Sequence, residues 1–363
     1  MGMTCTLPFL ETLKIRDCPL LATTPRNFPS LGHLEIQGII SSQPLHNIVV
    51  GSQEVILALY LLSLAFHCVP PSLHNQTLKT LSVSKVRELT YLPLFQHTSL
   101  EKLEIRDCGK LMCLPNGLEN LVSLKTLEVR GCQLLITFPD ISCLNSLREL
   151  TIANCHGLTW TPIGLESCTA LEILKICERD NIDYVPDLKK LSRLEDVSIY
   201  DCGDQLTSLL KVGLQSMPRL SYLVIGGCKS KLDEEPEDFP DISPLLGIKS
   251  LRALGLVCWP KLKFLPEQLQ HFTALGELGI NSFDGSEVPE WIGGLSSLYA
   301  LGFKECWNLK YLPSRSALLR LEKLRCLQIE DCPLLKERCA KDNGPEWHKI
   351  CHIELIEIDG QPI

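Results

Sequence analysis

One pattern recurs along this 363-residue chain and limits what it can become: Leu-x-x-Leu-x-Ile-x-x-Cys. Clear copies begin at Leu100, Leu124, Leu147, Leu220 and Leu324. Looser ones begin at Leu10, Leu31, Leu59, Leu78, Leu171, Leu194, Leu251, Leu275 and Leu298, and a last at Ile350. The 15 units start 19 to 31 residues apart, and positions four and six are apolar in every one. Leucine alone accounts for 69 residues, because the same buried slot is filled again and again. Apolar residues alternating with polar ones mark a short strand with one buried face. Such a strand is unstable alone, but 15 of them stacked about 4.8 Å apart make a parallel sheet roughly 65–70 Å long. The expected fold is therefore an α/β solenoid. It is a horseshoe of about 15 repeats, with a parallel inner sheet and an irregular or short-helical convex side.

Two further positions carry a physical role. Position nine is Cys in eight units: Cys18, Cys108, Cys132, Cys155, Cys202, Cys228, Cys306 and Cys332. There the chain leaves the strand, and a small side chain with a weak S–H donor fits inside the turn and bonds a nearby carbonyl. Cysteines stacked one per coil do not supply four metal ligands at one point. Seven residues later a proline follows in eight units, among them Pro115, Pro139, Pro266 and Pro313. Proline has no donor N–H, so it belongs on an outer arc outside the sheet. Segments such as Gly117–Leu121 are expected to form a helical turn there.

The combination Leu-x-x-Leu-x-Ile-x-x-Cys-x-x-Leu-x-x-Leu-Pro resembles the leucine-rich repeats of plant intracellular immune receptors, the nucleotide-binding leucine-rich-repeat class. The C-terminus adds to the likeness. Cys332-Pro333-Leu334-Leu335-Lys336-Glu337-Arg338-Cys339, Gly344-Pro345-Glu346-Trp347-His348-Lys349-Ile350 and Ile356–Gly360 are similar to the closing segment of the coiled-coil-type receptors. Glu346 stands where that class has Asp, and Glu354 where it has Pro. The resemblance implies a protein-recognition module that senses a pathogen effector or a guarded host protein and holds a nucleotide-binding switch domain off. The alternative reading is a stand-alone scaffold or adaptor that binds a protein partner. On either reading the array covers 1–349, with a weak pattern over 37–78 and an acidic insertion at 229–250. The closing coil covers 350–363.

Other functions lack their residues. The chain has no Gly-x-x-x-x-Gly-Lys-Ser/Thr phosphate cradle, no Gly-x-Ser-x-Gly elbow and no His-Glu-x-x-His pair, so neither an enzyme nor a bound cofactor or metal is expected. A net charge of −8 argues against a nucleic-acid partner, which calls for a basic face. The apolar run Val55–Phe66 stops before Pro70-Pro71 and is too short to span a bilayer, which takes about 20 residues. With 18 cysteines scattered about one repeat apart and no signal peptide, the expected setting is reducing and cytoplasmic, compatible with a nuclear or membrane-peripheral pool.

Candidate binding residues follow from the strand alternation, since positions three, five, seven and eight are expected to point out of the concave face. Lys102, Arg106 and Arg130 make a mixed, locally basic surface with Glu104 and Glu128. Position five is Gly255, Gly279 and Gly302 in three successive units, beside Tyr222 and Val224. Glycine weakens a strand and often marks close approach of another chain, so this patch is expected to dock a protein partner. The run Asp233, Glu234, Glu235, Glu237 and Asp238 reads as a solvated loop off the outer arc, and the sharper reading is an acidic contact to a basic surface of a neighbouring domain.

Overall fold

A computed structural model describes residues 7–25, 28–50, 77–92, 98–114, 117–158, 162–177, 188–200, 214, 217–227, 242–259 and 262–363. The chain divides into two compact units. The first carries β1 to β6 and the start of β7, the second the end of β7 onward. In the first unit the strands are β1 (Thr12–Arg16), β2 (His33–Gln37), β3 (Thr80–Ser84), β4 (Lys102–Arg106), β5 (Thr126–Arg130) and β6 (Glu149–Ala153), then β7 (Ile173–Cys177). The second continues with β8 (Asp196–Tyr200), β9 (Tyr222–Gly226), β10 (Ala253–Val257), β11 (Glu277–Asn281), β12 (Ala300–Lys304), β13 (Cys326–Glu330), β14 (Leu355–Ile358) and β15 (Gln361–Pro362). Strand order in the sheet is chain order.

Register follows the repeat. Leu103 pairs with Leu127 and Ile105 with Val129, and the same positions match from strand to strand. Burial explains this: Leu103, Ile105, Leu127 and Val129 are fully buried, and a one-residue slip would turn them all to water. The Leu of position one is buried beneath them at Leu100, Leu124, Leu147 and Leu171.

Two repeat assignments change. The unit read at Leu59 lies outside the described residues. Strand β2 pairs directly with β3, His33 against Thr80, so that unit adds no strand between them. Instead, helix α1 (Gln43–Val50) follows β2 and buries Leu45, Ile48 and Val49. The last unit starts at Ile353, not Ile350. Ile356 and Ile358 of β14 stand beside Leu327 and Ile329 of β13, whereas Ile350 ends a short helix. Ile350, Ile353 and Ile356 are equally spaced, so a start three residues early satisfies the same pattern.

Position eight has a role that the sequence pattern alone did not reveal. Asp17, Lys85, Asp107, Asn154, Cys258, Ser282, Glu305 and Asp331 all have positive φ there, as do Gly38 and Gly131. This left-handed residue swings the chain out of the sheet while its N–H still reaches the next strand: Asp107 N donates to Arg130 O at 2.8 Å and Glu305 N to Glu330 O at 3.0 Å. Asp, Asn and Gly tolerate that conformation best.

Position nine behaves as expected wherever it is described. The thiols of Cys18, Cys108, Cys132, Cys155, Cys306 and Cys332 each donate to the carbonyl two residues back, at 3.2–3.5 Å. Cys202 and Cys228 lie outside the described residues. Burial pushes the Cys108 thiol up to about 11, and hydrogen bonding to Cys155 together with burial raises Cys132 further. The outer arc holds short 3-10 turns such as Leu118–Asn120, entered through left-handed Gly117.

The C-terminal end is closed by side-chain chemistry. Helices α2 (Arg315–Arg320), α3 (Pro333–Arg338) and α4 (Trp347–Ile350) pack there. Just before α4, the Glu346 carboxylate is buried. It accepts from Leu312 N at 2.9 Å and Lys349 Nζ at 2.7 Å, with an Arg338 guanidinium nitrogen at 3.5 Å. Asp359 and Gly360, both at positive φ, then reverse the chain so that β15 runs antiparallel to β14. Asp-Gly is the favoured pair for such a two-residue turn.

Candidate recognition surface

In each unit the solvent face of the sheet is built from positions three, five and seven. In the first unit it is a lattice of charge. Arg106 forks onto Glu128, Nε to Oε1 at 2.8 Å and Nη2 to Oε2 at 2.7 Å, and also reaches Glu104 at 2.9 Å. Lys102 pairs with Glu104 at 2.9 Å and Arg130 with Glu128 at 2.6 Å. Arg16 forks onto Glu35 in the same way, across β1 and β2. The carboxylates sit low, with 13% and 14% of the Glu104 and Glu128 side chains exposed. The cations above them are 42–47% exposed. Burial pushes the Glu128 carboxyl up, but the hydrogen bond from Arg106 and the charges of Arg106 and Arg130 outweigh it and hold the group below the usual range. Lys102, Arg106 and Arg130 thus do form one surface, and it presents positive charge outward. Every one of these cations is already paired. Exposed pairs of this kind add at most about 1 kcal/mol each, so they contribute little to stability.

In the second unit the position-five row is bare over three strands. Val224, Gly255, Gly279, Gly302 and Gln328 stand side by side on β9 to β13 in exact register. The three glycines are not equivalent. A Cβ on Gly255 would meet Val224 Cγ2 at 3.0 Å, so packing within the chain accounts for it. A Cβ on Gly279 would meet nothing within 4 Å, and one on Gly302 only Gln328, at 3.9 Å. No internal contact requires glycine at those two positions. The expected apolar surround is also partly covered: Val224 and Ala253 are 8% and 7% exposed, and Gly226 is buried against Val257. What remains open is the Gly279–Gly302 floor with two half-exposed tyrosines, Tyr222 and Tyr299, on one rim.

Tyr299 was not among the candidates read from sequence. It precedes β12 at position two, which the alternation assigns to the strand entrance. Its ring lies over Gly276, where a Cβ would come within 2.6 Å of it, and its hydroxyl donates to Glu277. The signal was present in the sequence as Gly276, a small residue leaving room for a ring one strand away. The acidic run Asp233, Glu234, Glu235, Glu237 and Asp238 lies outside the described residues. Among the described residues, no group of three or more His, Cys, Asp or Glu converges on a metal-sized point, and no helix is long and apolar enough to cross a membrane.

Comparisons with solved structures agree with this architecture. An internalin from Listeria monocytogenes superposes with a TM-score of 0.55 over 96% of this chain and 86% of that one, at 16% identity. A leucine-rich-repeat protein of Leptospira interrogans gives 0.50, covering 96% and 95%, at 15% identity. The fold is a leucine-rich-repeat solenoid. Within it, residues 262–332 match the family model for R13L1/DRL21 leucine-rich repeats. A segment of 137 residues is 32% identical to the protein SUPPRESSOR OF npr1-1, CONSTITUTIVE 1 of Arabidopsis thaliana. That segment is 37% of this chain and 9% of the Arabidopsis protein.

Proposed function

We propose that this solenoid is the protein-recognition part of a plant immune receptor, of the intracellular nucleotide-binding leucine-rich-repeat kind. Its reaction is binding, not bond chemistry. The observation that carries the reading is the Gly279–Gly302 floor: two strand glycines without an internal packing reason, aligned on an open sheet face. Glycine costs a strand stability, so bare positions of this kind fit a surface kept clear for another chain. The plant leucine-rich-repeat family match and the Arabidopsis segment support the setting. On this reading a pathogen effector or guarded host protein docks on the second unit. The paired basic lattice of the first unit, or the acidic run 233–238, contacts a switch domain and holds it off. The ligand acts by the difference between its contacts in the two states.

The test is co-purification from plant cytosol with the nucleotide-binding region of a receptor of the same source. Wild type, a Gly279→Arg, Gly302→Arg variant and a variant with the 233–238 carboxylates reversed are compared. Loss of association on charge reversal supports autoinhibition through that run. If the wild-type chain ignores this region altogether, the autoinhibition arm falls, leaving the stand-alone adaptor reading.

A further inference from the structure

We infer that the second unit's open face takes a cationic side chain, Lys or Arg, from an extended segment of its protein partner, held at Glu277 between Tyr222 and Tyr299. This rests on the reading of that face as a protein-binding surface and adds the chemistry of what it accepts.

The argument starts from charge. Three other acidic side chains on this unit's solvent face are matched: Asp196 by Lys175 at 2.9 Å, Glu330 by Lys304 at 2.7 Å, and Glu357 by the Gln328 amide at 2.7 Å. Glu277, at the start of β11, shares with Glu357 the lack of an ion pair: among the described residues no cation stands within ion-pair reach of it, and its partner is the neutral Tyr299 hydroxyl. What sets Glu277 apart is its place beside two half-exposed tyrosines and the uncovered Gly279 and Gly302. That hydrogen bond raises the Tyr299 phenol above its ordinary value. Burial, then Asp196 and, more weakly, Glu277 raise Tyr222, against Lys175. Both rings therefore stay neutral, with 41% and 46% of these residues exposed.

Register places these groups on one line. Tyr222 pairs with Ala253 and Ala253 with Glu277, so Tyr222 stands two strands from the carboxylate, about 10 Å away at ordinary strand spacing. Tyr299 lies on the other side, against Gly276. A carboxylate with no counter-ion among the described residues, bonded to Tyr299 and two strands from Tyr222, attracts a cation by charge, and a tyrosine ring within about 6 Å of that cation adds to the attraction. An acidic segment is repelled there, and a neutral apolar one would bury the Glu277 charge with only the Tyr299 hydroxyl to balance it. Gly279, two residues along the same strand, and Gly302 beside it leave the backbone uncovered. The aliphatic stem of Lys or Arg has room to lie over them.

The test pans short random peptides displayed on phage against the whole chain, as wild type, Glu277→Gln, Glu277→Lys and Gly279→Arg, each checked for folding by circular dichroism. Wild type is expected to select peptides enriched in Lys or Arg, with affinity about tenfold lower on Glu277→Gln, the scale of one charge-assisted contact. Glu277→Lys is expected to select Asp or Glu instead. Wild-type peptides no richer in Lys or Arg than the input, or binding Glu277→Gln equally well, overturn the inference. Cation-bearing peptides that bind Gly279→Arg as well as wild type overturn the wider assignment of this face.

Discussion

Replacing Glu346 by Ala removes the acceptor that joins the closing segment to the coil ending at Leu312. Three donors lose it together: Leu312 N, Lys349 Nζ and Arg338. The Leu312 N–H is buried, and an orphaned buried donor costs about 1–3 kcal/mol. Lys349 is 17% exposed and keeps the Leu312 carbonyl at 3.0 Å, and Arg338 keeps its stacking on Tyr311. Their loss is thus below the full cost of breaking a buried pair, and the sum is about 3 kcal/mol. In a repeat array that loss is local, so the assay is native-state hydrogen exchange. Amides of Cys351 and Leu355, bonded to Trp347 O and Arg325 O, are expected to exchange about 100-fold faster, the rate equivalent of roughly 3 kcal/mol. The Asp107 amide, in the other unit, is expected not to change. Glu346→Gln keeps an acceptor for Leu312 and loses only charge, so it falls between. Unchanged exchange at Leu355 in Glu346→Ala would refute the claim that this carboxylate holds the end of the array.

Gly131→Ala is expected to cost about 1–3 kcal/mol in thermal or urea unfolding, because φ is +65° there and the space for a Cβ is taken by Asp107. Asp107→Gly in the same chain is expected to recover the steric part. Lys85→Asn relieves a left-handed lysine at φ 54° and is expected to raise stability by up to about 1 kcal/mol, read as a higher urea midpoint. Burial raises the thiols of Cys108 and Cys168 to about 11 and of Cys339 to about 12, against an ordinary value of 9.0. The unfolded chain loses these protons first, so stability is full below pH 9 and falls as pH rises toward about 11; urea midpoints measured across that range check it. In mass-spectrometric alkylation of the folded chain, exposed Cys113, Cys143 and Cys351 are expected to react, and buried Cys108, Cys132 and Cys155 to stay unmodified until unfolding.

Most of the fold was readable because the repeat encodes it twice, in the apolar positions four and six and in the Cys turn at position nine. What was not readable shows where a linear pattern loses information. Position eight mixes Asp, Asn and Gly with Lys85, Cys258 and Glu305, so no composition rule exposes its shared positive φ. The Ile350 register failed because equal spacing of isoleucines satisfies the pattern twice. For the surface, alternation correctly placed Lys102, Arg106, Arg130 and the three glycines on the solvent face. It gave no means to separate Gly255, fixed by Val224, from the unencumbered Gly279 and Gly302. It also missed Tyr299, because the tyrosine reaches the face from outside the strand, through room left by a glycine on its neighbour.

The chain reversal at Asp359 and Gly360 matters for anyone who wishes to lengthen this protein by design. Parallel coils can be spliced between existing ones, since each offers its neighbour the same hydrogen-bonding edge. Past β14 that edge is occupied by two residues running the other way. A coil stacked beyond β15 would find no parallel template, so insertions belong upstream of Leu324, where both neighbours present matching coils.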